Sequence, residues 1–301
     1  MTETVFNVED GITDPEWLEL VREASADGQR FFTENQLYLA YARNKVQISR
    51  YIARRGVLGL VMIVVGLGTW VYALKVDWGS TLVVGIAITL GGVACVGTGV
   101  VTRRDPAARE PVTRWLAKWR AERQLEKFLE QPALTRAGLE LLPERVEALV
   151  FVQRDALADL LLKNDAQREL SALIVAESGY PEALANEARR LLSERPELRV
   201  YALHDATAAG VGMRARVQKS ATFSLGEREL LDIGLFPADV TWLAELAPAI
   251  PSEHTSLVPV DSLSFAALLS GLRGVLGGAL SLHAAIDGAR DQNAQDTSQS
   301  G

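Results

Sequence analysis

LVFVQRDALADLLLKNDAQRELSALIVAESGYPEALANEARRLLSERPELRVYALHDATAAG, residues 149–210, decides the fold. Three short apolar runs rich in β-branched residues each end in polar residues, and helix-forming segments lie between them. That alternation predicts βαβ units and a parallel sheet. Strands are expected at Val146–Val152, Ala172–Ala176 and Leu198–Leu203, with helices near Asp155–Leu162 and Pro181–Ser193. In an open parallel sheet ligands bind at the carboxyl ends of the strands. Those ends carry Gln153, Glu177 and Asp205.

The 301-residue chain is longer than such a domain needs, and its composition says where the remainder goes. Apolar residues make up 48% of the sequence and concentrate between Val57 and Val101. Val57 to Leu74 contains no charged residue, and neither does Thr81 to Val101. Each is about the 18–20 residues that span a bilayer as a helix. The short turn between them holds Lys75, Asp77 and Trp78. A two-helix transmembrane hairpin is therefore expected, and Val57 lies too far from the start for a cleaved signal peptide. Arg43, Lys45, Arg50, Arg54 and Arg55 precede it, and Arg103, Arg104 and Arg109 follow it. By the positive-inside rule this predicts an integral membrane protein with both termini cytoplasmic. Gly59, Gly66 and Gly68 in one span and Gly85, Gly91, Gly92, Gly97 and Gly99 in the other would let helices approach closely, within the hairpin or in a homo-oligomer.

Six regions follow: a helical N-terminal region over 1–55, the hairpin over 56–102, a helical juxtamembrane linker over 103–143, the α/β domain over 144–250, a C-terminal helical segment over 251–289 and a disordered tail over 290–301. Met1 to Ile12 reads as a mobile start, and Asp14-Pro15-Glu16 as a helix entry. Val112 to Glu130 reads as a basic helix with Trp115, Leu116, Trp119, Phe128 and Leu129 at apolar positions. Two readings of it stand: a helix lying on an anionic membrane surface, or one packed against protein. Ser262 to Ala289 reads as an amphipathic or buried helix pair, because Arg273 would be costly in lipid.

The charges exclude several function classes. A net charge of −7 argues against a general nucleic-acid binder, leaving nucleic acid as a partner only through a local patch. One cysteine, Cys95, and three scattered histidines give no disulfide framework and no cysteine or histidine metal cluster.

Taken in order, several segments resemble the Toprim domain of the family of the topoisomerase VI A-subunit and the meiotic double-strand-break protein. Ser178-Gly179-Tyr180-Pro181-Glu182, followed by a helix with Arg189-Arg190, is similar to that family's GKGYPD segment. Val200 to Gly210 resembles its VYALVDADPYG strand and turn, and Val150 to Arg154 stands where its strand ends in VEK. Leu231 to Asp239 resembles a later stretch, so the likeness covers roughly Glu144 to Ala247. The resemblance implies a Toprim-like fold and a Mg²⁺ site built from one glutamate and a DxD pair, because a hard cation takes carboxylate oxygens. Here the glutamate is Gln153 and the second aspartate Thr207, leaving Asp205 and Gly210 of the pattern. The family's winged-helix domain with its nucleophilic tyrosine has no counterpart.

The candidate crevice is thus Gln153, Glu177, Gly179, His204, Asp205, Thr207 and Gly210. Three functions are compatible with it. The first is a catalytically inactive, membrane-anchored module that binds a cytoplasmic partner or a nucleotide. The second is a Mg²⁺-dependent nuclease or nucleotidyl transferase whose metal and catalytic acids are Glu177 and Asp205. The third is a structural membrane protein that oligomerises through its spans. Against the second, Glu177 would cap the next helix or pair with a surface arginine, and Asp205 would bond turn amides.

Overall fold

The computed structural model describes residues 4–45, 61–65, 67, 88–89, 109–130, 142–240, 258–279 and 281–288. The chain divides into two compact units: Met1–Tyr41 with Arg109–Gly301, and Ala42–Ala108. Each is described by itself.

The first unit is α/β, built on a four-stranded parallel sheet. Its strands are β1 (Ala148–Val152), β2 (Ala172–Ala176), β3 (Arg199–Leu203) and β4 (Leu230–Asp232), in the order β2-β1-β3-β4. β1 and β2 are buried along their whole length, which is why their sequences run ALVFV and ALIVA without alternation. Val150 pairs in register with Ile174 on one side and Tyr201 on the other. Helices Asp155–Lys163 and Ala166–Glu169 carry the chain from β1 to β2, and Glu182–Glu194 carries it from β2 to β3. The first crossover goes to one side of β1 and the second returns to the other. The order therefore reverses between β1 and β3, and the crevice of such a sheet opens at their carboxyl ends. The three strands expected from sequence are present to within two residues. β4 has only three residues, too few for a periodicity to register.

A second core joins the N-terminal stretch of this unit to the helix that begins at Glu110. Thr13 and Glu16 form a reciprocal cap at the start of helix Asp14–Ala24. The Asp14 carboxylate accepts the amides of Val5 and Phe6 at 3.0 and 2.9 Å, so residues 4–12 are tied down rather than mobile. Phe6 and Trp17 meet edge to face at 5.7 Å, and Trp119 lies 5.8 Å from Phe6 and 6.1 Å from Trp17. Trp119 comes from helix Glu110–Glu122, whose Val112, Trp115, Leu116 and Trp119 are all buried. The helix expected to run to Glu130 ends at Glu122, with Phe128 instead in a β-bridge to Phe32, and of the two readings of this basic helix packing against protein holds. Its apolar face is consumed by the N-terminal region, so it has none left to lay on a bilayer.

A C-terminal segment completes the unit. Val258 bridges Ala206 in an antiparallel pair, Val260–Ser262 makes a 3-10 turn, and Ser264 caps helix Phe265–Leu276. A second helix over 282–288 packs on it where Gly271 and Gly274 admit Leu282, Ile286 and Ala285.

The two expected spans, Val57 to Leu74 and Thr81 to Val101, lie almost wholly outside the described residues. Of them, 61–65, 67 and 88–89 are helical. Among the described residues no helix is long and apolar enough to cross a membrane. The tail over 290–301 also lies outside the described residues.

Candidate functional site

The turn after β1 starts with Gln153, and the turn after β3 with His204 and Asp205. Parallel register brings the two turns together. The Gln153 amide donates to the Leu203 carbonyl at 3.1 Å, and Gln153 Oε1 accepts the Asp205 amide at 2.9 Å. Gly210 lies against this junction, where a Cβ would run into the Asp205 carbonyl and sit 2.9 Å from Gln153 Oε1. Its role is close approach of backbone, which no other residue allows.

Asp205 is buried and fully engaged. Arg154 Nε donates to Oδ2 at 2.6 Å and Nη2 to Oδ1 at 3.1 Å, the two-pronged geometry of a guanidinium on a carboxylate. The Val260 amide, arriving from the C-terminal segment, donates to Oδ1 at 2.7 Å. Arg154 Nη2 also reaches Asp261 Oδ1. Asp261 in turn accepts Thr33 Oγ1 at 3.0 Å and Asn35 Nδ2 at 2.9 Å. Side-chain exposure is 4% for Asp205 and 1% for Asp261, so this is a desolvated ion cluster. Burial works against the charged guanidinium, yet the two carboxylates outweigh it and hold the Arg154 pKa above even its ordinary high value.

Glu177 goes elsewhere. Its carboxylate takes Arg216 Nη2 at 2.8 Å and Nε at 3.2 Å, while Arg216 Nη1 donates to the Ala209 carbonyl at 2.7 Å. Glu177 and Asp205 thus each hold their own arginine and form no shared carboxylate pair. The surface-arginine reading of Glu177 describes what is present. Thr207 caps the Ala208–Val211 turn by accepting the Gly210 amide at 2.9 Å. Gly179 has φ +88°, a left-handed conformation that favours glycine, in the turn after β2.

His204 is sealed in. Nδ1 lies 2.8 Å from the Asp205 carbonyl and therefore carries a proton. Nε2 lies 2.9 Å from Asp232 Oδ1 at the end of β4, a charge contact without the alignment of a hydrogen bond. Burial disfavours the charged ring, but Asp232 and the Asp205 carbonyl outweigh it and hold the pKa above the ordinary histidine value. The ring meets Phe236 edge to face at 5.1 Å.

The donor set does not suit a divalent cation. Among the described residues no group of three or more His, Cys, Asp and Glu side chains could hold a metal. The Asp205 carboxylate already accepts three hydrogen bonds, two of them from a cation, Asp261 is held by the same guanidinium, and Gln153 and Thr207 add no charge. No protein-family model, curated protein or solved structure matches the chain.

Gln153, Asp205 and Gly210 are legible in the sequence as residues of one crevice, but what neutralises Asp205 is not. Arg154 had a signal, since it immediately follows Gln153 at the mouth of the crevice. Asp261, Thr33 and Asn35 had none. They come from segments 107 residues after and about 120 residues before Arg154, and only the tertiary fold unites them.

Proposed function

We propose that this protein is a membrane-tethered, non-catalytic module whose Toprim-like domain binds a ligand or partner and does not cleave phosphodiester bonds. One observation carries the reading: the Arg154 guanidinium and the Val260 amide occupy the Asp205 carboxylate from two sides. Toprim chemistry needs a divalent cation to stabilise charge on the phosphate, and such a cation needs free anionic oxygens. Here a fixed organic cation stands where they would have to face. The tether is the hairpin expected over 57–101, supported by two uncharged stretches of spanning length with arginines on both outer flanks. A nuclease using Glu177 and Asp205 has no support from the geometry, since Arg216 and Arg154 hold them separately.

The test is calorimetric titration of Mg²⁺ and Mn²⁺ into the detergent-solubilised full chain, alongside a plasmid-cleavage assay. No saturable heat and no cleavage are expected. Micromolar binding that Asp205→Ala abolishes would overturn the proposal.

A further inference from the structure

The crevice at the ends of β1 and β3 is filled by the chain itself. Residues 258–262 enter it as a short strap. The Ala206 amide donates to the Val258 carbonyl at 2.9 Å, the Val260 amide to Asp205 Oδ1 at 2.7 Å, and Asp261 reaches Arg154. What fastens the strap from outside is the N-terminal region. Thr33 Oγ1 and Asn35 Nδ2 donate to Asp261, and Gln36 Nε2 donates to the Leu263 carbonyl at 3.2 Å. Three stretches distant in sequence therefore converge on one ion cluster in which a single guanidinium serves two buried carboxylates.

That arithmetic makes the closure conditional. Without the donors of Thr33 and Asn35, Asp261 would be a buried anion sharing half an arginine, and burial of an undercompensated charge is strongly unfavourable. Polar networks of this kind hold as a unit and let go as a unit, because each bond is strengthened by the others. The contact is also directional: Asp261 presents a carboxylate to Arg154, Thr33 and Asn35 as an external anion would. The helix starting at residue 34 leads in sequence toward the expected span at Val57.

We infer that residues 258–262 are a removable plug in the β1/β3 crevice, latched by Thr33 and Asn35, with Asp261 holding the place of an anionic ligand. Release of the latch lifts Asp261 off Arg154 and uncovers the crevice. The ligand that competes with the plug carries carboxylate or phosphate oxygens, since these would accept from the donors around Asp261. This deepens the ligand-binding reading and rests on it. It is tested without reference to metal, so either can fail alone.

Hydrogen–deuterium exchange on the full chain in detergent reads the plug at two amides, Ala206 and Val260. Asn35→Ala removes the Nδ2 donor to both Asp261 oxygens and leaves the Thr33 Oγ1 bond to Asp261 in place. It is expected to speed exchange at those two amides by about tenfold or more, with β1, β2 and β3 amides unchanged. Should Asn35→Ala fail to fold, Asp261→Asn is read in the same way. Inorganic phosphate, at constant ionic strength, is expected to speed the same two amides saturably in the unmodified chain. Unchanged exchange in the variant, or a uniform rise across the sheet, overturns the plug. A chain indifferent to phosphate overturns the anionic ligand.

Discussion

Arg154 Nε lies 2.6 Å from Asp205 Oδ2, and this contact makes the end of β3 a closed electrostatic site. Gln153, the preceding residue, accepts the Asp205 amide. Adjacent residues of β1's final turn thus take the backbone and the side chain of the same aspartate. Asp205 is spent on holding β1, β3 and the C-terminal segment together.

Removing Arg154 should then be costly. Arg154→Ala leaves Asp205 and Asp261 buried with no cation, and loss of one partner from a buried pair typically costs about 3–5 kcal/mol. Arg154 is itself 30% exposed, so water can enter and the lower end is expected. Denaturant unfolding followed by tryptophan fluorescence measures it. Arg154→Lys, which keeps the charge but not the fork, should recover only part of the loss.

Placing acids at 153 and 207, as the resemblance to Toprim sites would have them, should not create a metal site while the arginine stays. Gln153→Glu with Thr207→Asp adds two carboxylates beside Asp205, yet Arg154 still holds Asp205. No Mn²⁺ binding is expected in that double variant. Adding Arg154→Ala frees Asp205, and saturable Mn²⁺ binding by calorimetry is then expected, provided the triple variant folds. Binding in the double variant would show that the guanidinium is not what closes the site.

The contrast between what was legible and what was not follows from range. The strands at 148–152 and 172–176 are fully buried apolar runs, and the third is buried from Val200 to Leu203 after an exposed Arg199, so a local pattern suffices to place them. The crevice is legible too, because strand ends of a parallel sheet carry it wherever the order reverses. Met1 to Ile12 is polar by composition, and only tertiary contacts reveal Val5 and Phe6 bound to Asp14. The Trp115 and Trp119 face of the basic helix is identical on paper for lipid and for a protein partner. Only the rings of Phe6, Trp17 and Tyr41 against it decide. Asp261 belongs with these: its spacing from neighbours is uninformative and its partners lie 107 residues or more away.

His204 should give stability a pH dependence of known sign. Its pKa in the folded protein is raised, so the folded state binds the proton more tightly than the unfolded chain does. The stabilisation is fully present below about pH 6.5, the unfolded value, and is lost as pH rises through the higher folded value. The melting temperature should therefore fall across that window. Asp232→Asn removes the carboxylate beside Nε2 and should flatten the dependence. A wild-type curve already flat above pH 6.5 would mean that the ring is neutral in the folded state.

Gly210 offers the sharpest steric test of the junction. A Cβ there meets the Asp205 carbonyl, which is backbone and cannot swing aside, and sits 2.9 Å from Gln153 Oε1, which is already bonded. Overpacking at a rigid site costs about 1–3 kcal/mol, and Gly210→Ala should lie at the upper end because two hydrogen-bonded groups must move. Gly226→Ala is the contrasting control. Its φ of +63° carries strain for any side chain, but nothing lies within 4 Å of its added Cβ. If backbone conformation alone mattered, Gly226→Ala would be the worse of the two. If close approach governs, Gly210→Ala is worse, and it alone should speed amide exchange at Asp205 and Ala206.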